Sequence, residues 1–376
     1  MSDLIIVGGG IIGLSTAREA AIRGLSVTLL ERGRPGREAS WAAAGMLSPL
    51  AEASADGPFL DFALASLRRY RSWVAAIEEE SGRTVEYRES GKLRLALSAR
   101  ERGLLEQRRE WAATRGLHAR WFEPAELREK EPGLSLSVQG ALLIEEDFRV
   151  DNRRLSEALV EAAREAGVRI QSGVEVEAIE HRGGRILGVR TAEGDSISGD
   201  RVLIAAGAWS GALQGLPRPI AVTPVRGQML ALGTEGPFSE RVLESEEVYL
   251  IPRDDGRLLV GATVEEVGFE PGITAAGIRS LLEGALRLVP GLGSAPIVEF
   301  WSGFRPGTPD GHPILGPSPE VDGLFWATGH FRNGILLAPL TAVVLAAAIV
   351  GGDGPRIPEA FAADRPALAS IPEPSG

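Results

Sequence analysis

The sequence predicts an α/β chain of two units, one assembled from separated segments and one an α+β unit on an antiparallel sheet. Three observations carry this. Gly8, Gly10 and Gly13 form a G-x-G-x-x-G turn between a buried-strand pattern and a helical one. A second small-residue turn, Ala206-Gly207-Ala208, closes another short apolar run at residues 202–205. From about 218 to 301 the pattern becomes alternating, as in strands with one free face. The first two observations define a discontinuous Rossmann-like unit.

Leu4-Ile5-Ile6-Val7 is a continuous apolar run suited to a strand buried on both faces. Gly8 permits the tight turn, Gly10 lets the backbone approach a pyrophosphate, and Gly13 lets the helix pack closely on the strand. The helical pattern through Ala20 presents unpaired N–H groups to phosphates at its start. A second apolar run, Ser26–Leu30, ends on Glu31, whose carboxylate can accept hydrogen bonds from an adenosine ribose. Strand, turn, helix, strand and acid together mark an adenine-dinucleotide site.

Composition narrows the partners. With 376 residues the chain can bury a large core. A net charge of −11 argues against nucleic acid or an anionic membrane. There is no cysteine, which removes disulfides, thiolate nucleophiles, Cys-ligated metals and a flavin tethered through sulfur. His118, His181, His312 and His330 lack metal-ligand spacing, so no metal is expected. The first strand begins at residue 4, which leaves no room for a leader and makes the cytoplasm the expected location. Lys92 and Lys130 are the only lysines, so Schiff-base chemistry has little to work with. Arginine is so frequent that each one must be argued from its surroundings.

The remaining elements follow in order. Ser40–Met46 is small and nearly uncharged, suited to lie against a flat ligand. Residues 59–81 carry apolar positions at helical spacing and are expected to form one helix ended by Gly82. Strands are expected within 87–97, and helices over 101–116 and from Glu123. Asp151–Gly167 is an amphipathic helix, followed by strands near 168–170, 174–176 and 186–189. Further strands fall at 227–232, 247–251 and 258–262, with a helix over 274–289. A sheet of this kind can roof a ligand. Arg305, between Gly303 and Pro306-Gly307, is expected in a turn. Residues 324–328 form a strand, 329–334 a glycine-bounded turn, and Ile335–Val350 an apolar helix too short to span a bilayer. The tail from Ile371 is expected to fray.

Seven stretches carry a family resemblance: IIVGGGIIGLS (5–15), SWAAAGMLSP (40–49), IAAGAWS (204–210), YLIPR (249–253), LLVGAT (258–263), FWSGFRPGTPDGHPILG (300–316) and GHFRNGILLAP (329–339). Together the chain resembles the D-amino-acid-oxidase-like flavoproteins, and within them the glycine oxidase branch associated with thiamine-thiazole synthesis. The resemblance implies noncovalent FAD, with a cofactor domain over 1–82, 147–217 and 302–376. A substrate domain would then occupy 83–146 and 218–301.

Carried onto this chain, the family's cofactor contacts fall on Gly8, Gly10, Ile11, Ile12, Gly13, Glu31 and Arg32. They continue through Ser40, Ala43, Ala44, Gly45, Met46, Val176, Ala206, Gly207 and Trp209. The last group is Gly303, Arg305, His330, Arg332, Asn333, Gly334 and Ile335. Substrate contacts fall on Arg305, which holds a carboxylate, and on Tyr249, Arg332 and Met46. No residue is assigned as a catalytic acid or base, since the flavin does the chemistry. Two positions depart from the branch: Glu247 stands where a histidine is frequent, and Val264 where methionine or, in sarcosine oxidases, lysine occurs.

The implied reaction is oxidative deamination of glycine, sarcosine or a small D-amino acid by hydride transfer to FAD. Oxygen is then the second substrate and hydrogen peroxide a product, and assembly into a homo-oligomer is compatible with the sequence. Competing readings are an amine or D-amino-acid dehydrogenase with another acceptor, and an FAD subunit or tRNA-modifying domain without oxidase activity.

Overall fold

Leu4–Val7 lies inside a six-stranded sheet, between Val27–Glu31 on one side and Val202–Ile204 on the other, parallel to both. The order across this sheet is Ile314–Pro317, Leu324–Thr328, Val202–Ile204, Leu4–Val7, Val27–Glu31, Arg169–Ser172. Only the edge strand Ile314–Pro317 runs antiparallel. The computed structural model describes residues 2–53, 55–234 and 239–368; the tail from Ile371 lies outside them.

The strands are apolar on both faces because helices cover one side and a small antiparallel sheet the other. Helices Ile11–Ile22, Asn152–Glu165 and Gly334–Val350 pack into one core with Leu4, Ile6 and Leu29. The three-stranded sheet Val176–Arg182, Arg185–Thr191, Ser196–Ser198 contributes Ile179, Ile186 and Val189 to the opposite core. Parallel strands place their carboxyl ends, and the loops after them, along one edge of the sheet, where α/β folds bind ligands.

The second sheet has eight strands, from Ile297–Gly307 at one edge through Thr223–Gly233, Arg257–Gly261, Tyr249–Pro252, Val242–Glu244, Lys92–Leu95 and Ala141–Ile144 to Ala119–Phe122. It is antiparallel except for one pairing: Val242–Glu244 runs parallel to Lys92–Leu95. One face packs on helix Ala275–Leu288 through Leu230, Leu250, Val260 and Leu281.

Two expectations need correction. Residues 59–81 are two helices, Pro58–Leu67 and Tyr70–Ser81, not one. The break falls at Arg68-Arg69, and residues on either side of it serve Pro339, inside helix Gly334–Val350, which cannot donate to the Ile335 carbonyl. Tyr70 Oη donates to that carbonyl instead, at 3.0 Å. Ser66 Oγ donates to the Leu336 carbonyl at 2.8 Å and accepts from Leu340 N at 3.3 Å, bridging the next opened bond. Ser66 and Tyr70 flank the helix break and together repair the proline defect.

Arg305 is not in a turn but on the strand Ile297–Gly307, opposite Val225. A local Gly/Pro reading suggested a loop, but Pro306 is tolerated because this strand is the sheet's edge. The strand also crosses the expected domain border at 301/302, and residues 302–307 stay paired with Thr223–Gln228.

Candidate active site

The carboxyl ends of the parallel strands and one face of the eight-stranded sheet enclose a cavity of about 630 Å³, within the range of cofactor and ligand sites. Its nucleotide end is built as the glycines require. Gly8 has φ +107°, and a Cβ there would sit 2.7 Å from the Ala205 carbonyl carbon. Gly10 lines the cavity, and a Cβ there would meet only Ser40 Oγ, at 3.2 Å. Gly13 does not face the cavity; a Cβ there would overlap the Gly8 carbonyl oxygen, so its glycine serves helix–strand packing. Glu31 Oε2 accepts from Gly9 N at 2.7 Å and Oε1 from Gly33 N at 2.8 Å, which fixes the carboxylate beside the turn. Arg32 lies over the Trp209 ring at 3.8 Å, and Phe269 stacks on the same indole.

The segment 40–46 lines the cavity and is held mainly through its backbone carbonyls. Asn152 Nδ2 donates to the carbonyls of Ser40 (2.8 Å) and Trp41 (3.0 Å). Trp301 Nε1 donates to Ala42 O at 3.0 Å, and Arg253 Nη2 to Ala44 O at 2.9 Å. Ser40 Oγ accepts from Ile11 N at 2.8 Å, tying the loop to the first helix start. With its carbonyls so engaged, the loop offers Ala43, Ala44 and Gly45 to the cavity without bulk. Asn152, Arg253 and Trp301 were assigned no role from sequence; nothing local marks a residue whose partner is a backbone carbonyl more than a hundred positions away.

At the far end, Arg305 and Tyr249 converge on the cavity from different strands of the eight-stranded sheet. Arg305 Nη1 donates to the carbonyls of Thr263 (3.1 Å) and Arg226 (3.3 Å), which orients the guanidinium. Burial lowers its pKa, while Tyr249 beside it acts in the opposite direction. Tyr249 Oη points to Met229 Sδ at 3.8 Å; burial raises its pKa against the opposing pull of Arg305 and Arg332. Both side chains lie over glycines. A Cβ on Gly227 would fall 2.5 Å from Arg305 Cζ, and one on Gly261 would fall 2.5–2.6 Å from the Tyr249 ring and hydroxyl.

Arg332 donates Nη2 to Glu52 Oε1 at 3.1 Å; burial works against its charge, but Glu52 and Tyr249 more than offset this and raise its pKa. His330 is fully enclosed, with Nε2 3.4 Å from Thr341 Oγ1, and burial pushes its pKa down to about 3, so it stays neutral. The first turn of helix Gly334–Val350 has no side-chain cap; Asn333 N donates to the His330 carbonyl at 2.8 Å, and Gly334 and Ile335 bring the helix's unpaired N–H groups to the cavity wall.

The cavity thus gathers every site residue expected from the sequence except Gly13. Glu247 also lines it but is paired outward to Arg287 at 2.6 Å, and Val264 lines it from an exposed position. Glu52, Gly227, Met229, Glu244 and Gly261 are additional lining residues that sequence reasoning passed over. Glu244 belongs to a buried ion cluster. Lys92 Nζ stands 2.8 Å from Glu244 and 3.1 Å from Asp147, and against the cost of burial Lys92 and Arg94 hold the Glu244 carboxyl at about 2. Among the described residues no cluster of three or more His, Cys, Asp or Glu could hold a metal, and no helix is long and apolar enough to cross a membrane.

A three-layer nucleotide unit facing an arginine-bearing sheet across one cavity is the architecture of a flavin-type oxidoreductase. The chain belongs to the FAD dependent oxidoreductase family, whose model matches residues 3–348. It is 43% identical over 371 residues to the bifunctional protein ThiO/ThiG of Synechocystis sp., covering 97% of this chain and 54% of that one. The chain therefore spans about half the length of that relative. It is 38% identical over 348 residues to glycine oxidase of Pseudomonas aeruginosa, covering 91% of this chain and 93% of that one. The crystal structure of glycine oxidase from Geobacillus kaustophilus superimposes with a TM-score of 0.93 at 34% identity, covering 97% of this chain and 98% of the other.

The cavity suits FAD on its own terms. A glycine turn without side chains, the helix start at Ile11, the fixed Glu31 carboxylate and the bulk-free loop 40–46 form one continuous trough leading to the second helix start at Gly334.

Proposed function

We propose that the protein oxidises a small amino acid or amine, namely glycine, sarcosine or a small D-amino acid. With oxygen and water consumed, the products are hydrogen peroxide and an imine that hydrolyses to the 2-oxo acid and ammonia, or methylamine where the substrate is sarcosine. Its place is in the cytoplasm, supplying thiamine-thiazole synthesis. The observation that carries this is the pairing of Arg305 with Tyr249 at the end of the cavity opposite the nucleotide turn. The cofactor domain comprises 1–82, 147–217 and the C-terminal segment, with its last border moved to 307/308; 83–146 and 218–307 form the substrate domain.

Bound FAD would supply the hydride acceptor and the route for electrons to oxygen. The chain's own residues bind and orient. The guanidinium of Arg305 takes the substrate carboxylate as a charge-assisted pair, and Tyr249 Oη adds a hydrogen bond. Anchored there, a small amino acid has its α-carbon directed along the cavity toward the loop 40–46, where Met46 limits the space beside it. Uncapped N–H groups at Gly334 and Ile335 supply partial positive charge where negative charge develops. His330, neutral and buried, adds shape without charge. The rate then derives mainly from orientation and electrostatics, with no side chain cycling a proton.

Arg305→Ala tests this reading. KM for glycine or sarcosine should rise about 100-fold or more, because a charge-assisted anchor is lost, while the yellow cofactor stays bound. An unchanged KM would show that the carboxylate binds elsewhere. Peroxide detection set against reduction of a dye acceptor separates an oxidase from a dehydrogenase.

A further inference from the structure

The cavity holds two guanidinium groups, but they are not equivalent. Arg305 is braced by two backbone carbonyls. Arg332 is matched by a carboxylate, Glu52, at 3.1 Å. That carboxylate is set in place by the backbone: Glu52 ends the short helix Pro49–Glu52, which Arg108 holds from behind through the carbonyls of Leu50 and, at 2.9 Å, Ala53. Glu52 keeps only 14% of its side-chain surface exposed, whereas Arg332 keeps 37%, so the acid is fixed and the guanidinium faces the open cavity. Both charges reach the carboxylate anchor. Arg305 and Tyr249 each respond to Arg332 and to Glu52 with opposite sign. Glu244, the other acid nearby, is paired with Lys92 and Arg94 and acts on Arg332 more weakly than Glu52 does.

We propose that Glu52 sets the substrate class of this site: by neutralising Arg332 it leaves Arg305 as the one cation open to a carboxylate, confining the site to amines that carry a single carboxylate. The inference rests on the reading of Arg305 as the anchor. An amine with a second carboxylate, such as iminodiacetate, must place its second anion near Arg332. There it meets a guanidinium already taken and a fixed like charge, which discriminates against it. Glu52→Gln removes the repulsion, keeps the shape and frees the guanidinium.

The test titrates the flavin absorbance of the holoenzyme with two inert anions, glycolate and diglycolate, which carry one and two carboxylates. In Glu52→Gln the ratio of Kd for diglycolate to Kd for glycolate should fall about tenfold or more. In the double variant Glu52→Gln/Arg332→Gln it should return toward the wild-type value. The ratio of kcat/KM for iminodiacetate to that for glycine should rise in Glu52→Gln in parallel. A Kd ratio unchanged in Glu52→Gln, with cofactor content and melting temperature retained, overturns the proposal. So does a fall that persists in the double variant, because the gain would then not run through Arg332. Should Glu52→Gln fail to load FAD, Arg332→Gln alone must raise the ratio, and an unchanged ratio there is equally decisive against it. Failure of the anchor reading is distinct: the wild-type flavin would then not respond to glycolate at all.

Discussion

Gly227→Ala separates the geometry of the anchor from the stability of the fold. The added Cβ would lie 2.5 Å from Arg305 Cζ. Ordinary carbon contacts need about 3.5 Å, so the guanidinium must retreat by about 1 Å. Gly227 does not have a left-handed backbone conformation, so alanine fits its strand, and reduced freedom of the unfolded chain favours the variant by about 0.4–1 kcal/mol. The obstacle is the far end of a flexible side chain and can yield. A displacement of about 1 Å at a positioning group costs about 100-fold in rate, or about 2.7 kcal/mol of transition-state stabilisation. Steady-state peroxide production should therefore show kcat/KM for glycine or sarcosine down about 100-fold. Melting temperature should stay within about 2–4 °C of wild type. Unchanged kcat/KM in a normally melting, yellow variant would refute the assignment of Arg305 as the carboxylate anchor.

Two other perturbations test the buried charges. Lys92→Met leaves Glu244 and Asp147 facing each other without their cation and should cost about 3–5 kcal/mol, measured by chemical denaturation. Glu244, held at about 2, contributes stability that is complete above its unfolded value of 4.5 and lost as pH falls toward 2. Without Lys92 that carboxyl moves up toward its unfolded value, so the part of the acid limb of melting temperature that Glu244 contributes between pH 4.5 and 2 should flatten. His330, pushed down to about 3 by burial, works in the same sense over a different range. Between pH 6.5 and 3 the unfolded chain takes a proton that the folded one refuses, so stability falls there as pH drops. His330→Gln should flatten that interval, and kcat/KM should show no inflection near 6.5 that this substitution removes.

The nucleotide end was legible in the sequence because its signals are local. Gly8, Gly10 and Gly13 announce themselves by their own spacing between two apolar runs that state their own burial, although the neighbours that crowd Gly8 and Gly10, Ala205 and Ser40, come from elsewhere in the chain. What escaped was long-range. Glu52 is an unremarked acid in a small-residue stretch until Arg332 arrives from 280 positions downstream. Gly227 and Gly261 read as ordinary strand glycines, and only the side chains lying over them, Arg305 and Tyr249, give them a purpose. The helix read over 59–81 is divided at Arg68-Arg69 although its apolar periodicity is continuous. The partners of Ser66 and Tyr70, on the helix interrupted by Pro339, were equally out of local view. Arg305 was misplaced in a turn because glycine and proline signal loops locally, while ten paired positions along Thr223–Gly233 hold it in a sheet.

The strand order of the six-stranded sheet has a consequence for biosynthesis. Leu4–Val7 leaves the ribosome before the other strands of this sheet, and Val27–Glu31 soon supplies one neighbour, but the other, Val202–Ile204, comes almost two hundred residues later. That strand is itself flanked by Leu324–Thr328, and the helix covering Ile11–Ile22 ends at Val350. For most of translation the glycine turn therefore has a strand and a helix but no closed layer above or below it. Pairings of such sequence separation fold slowly and expose apolar edges meanwhile. Nascent chains should thus depend on being shielded until helix Gly334–Val350 emerges, since the cofactor trough lacks that wall before then.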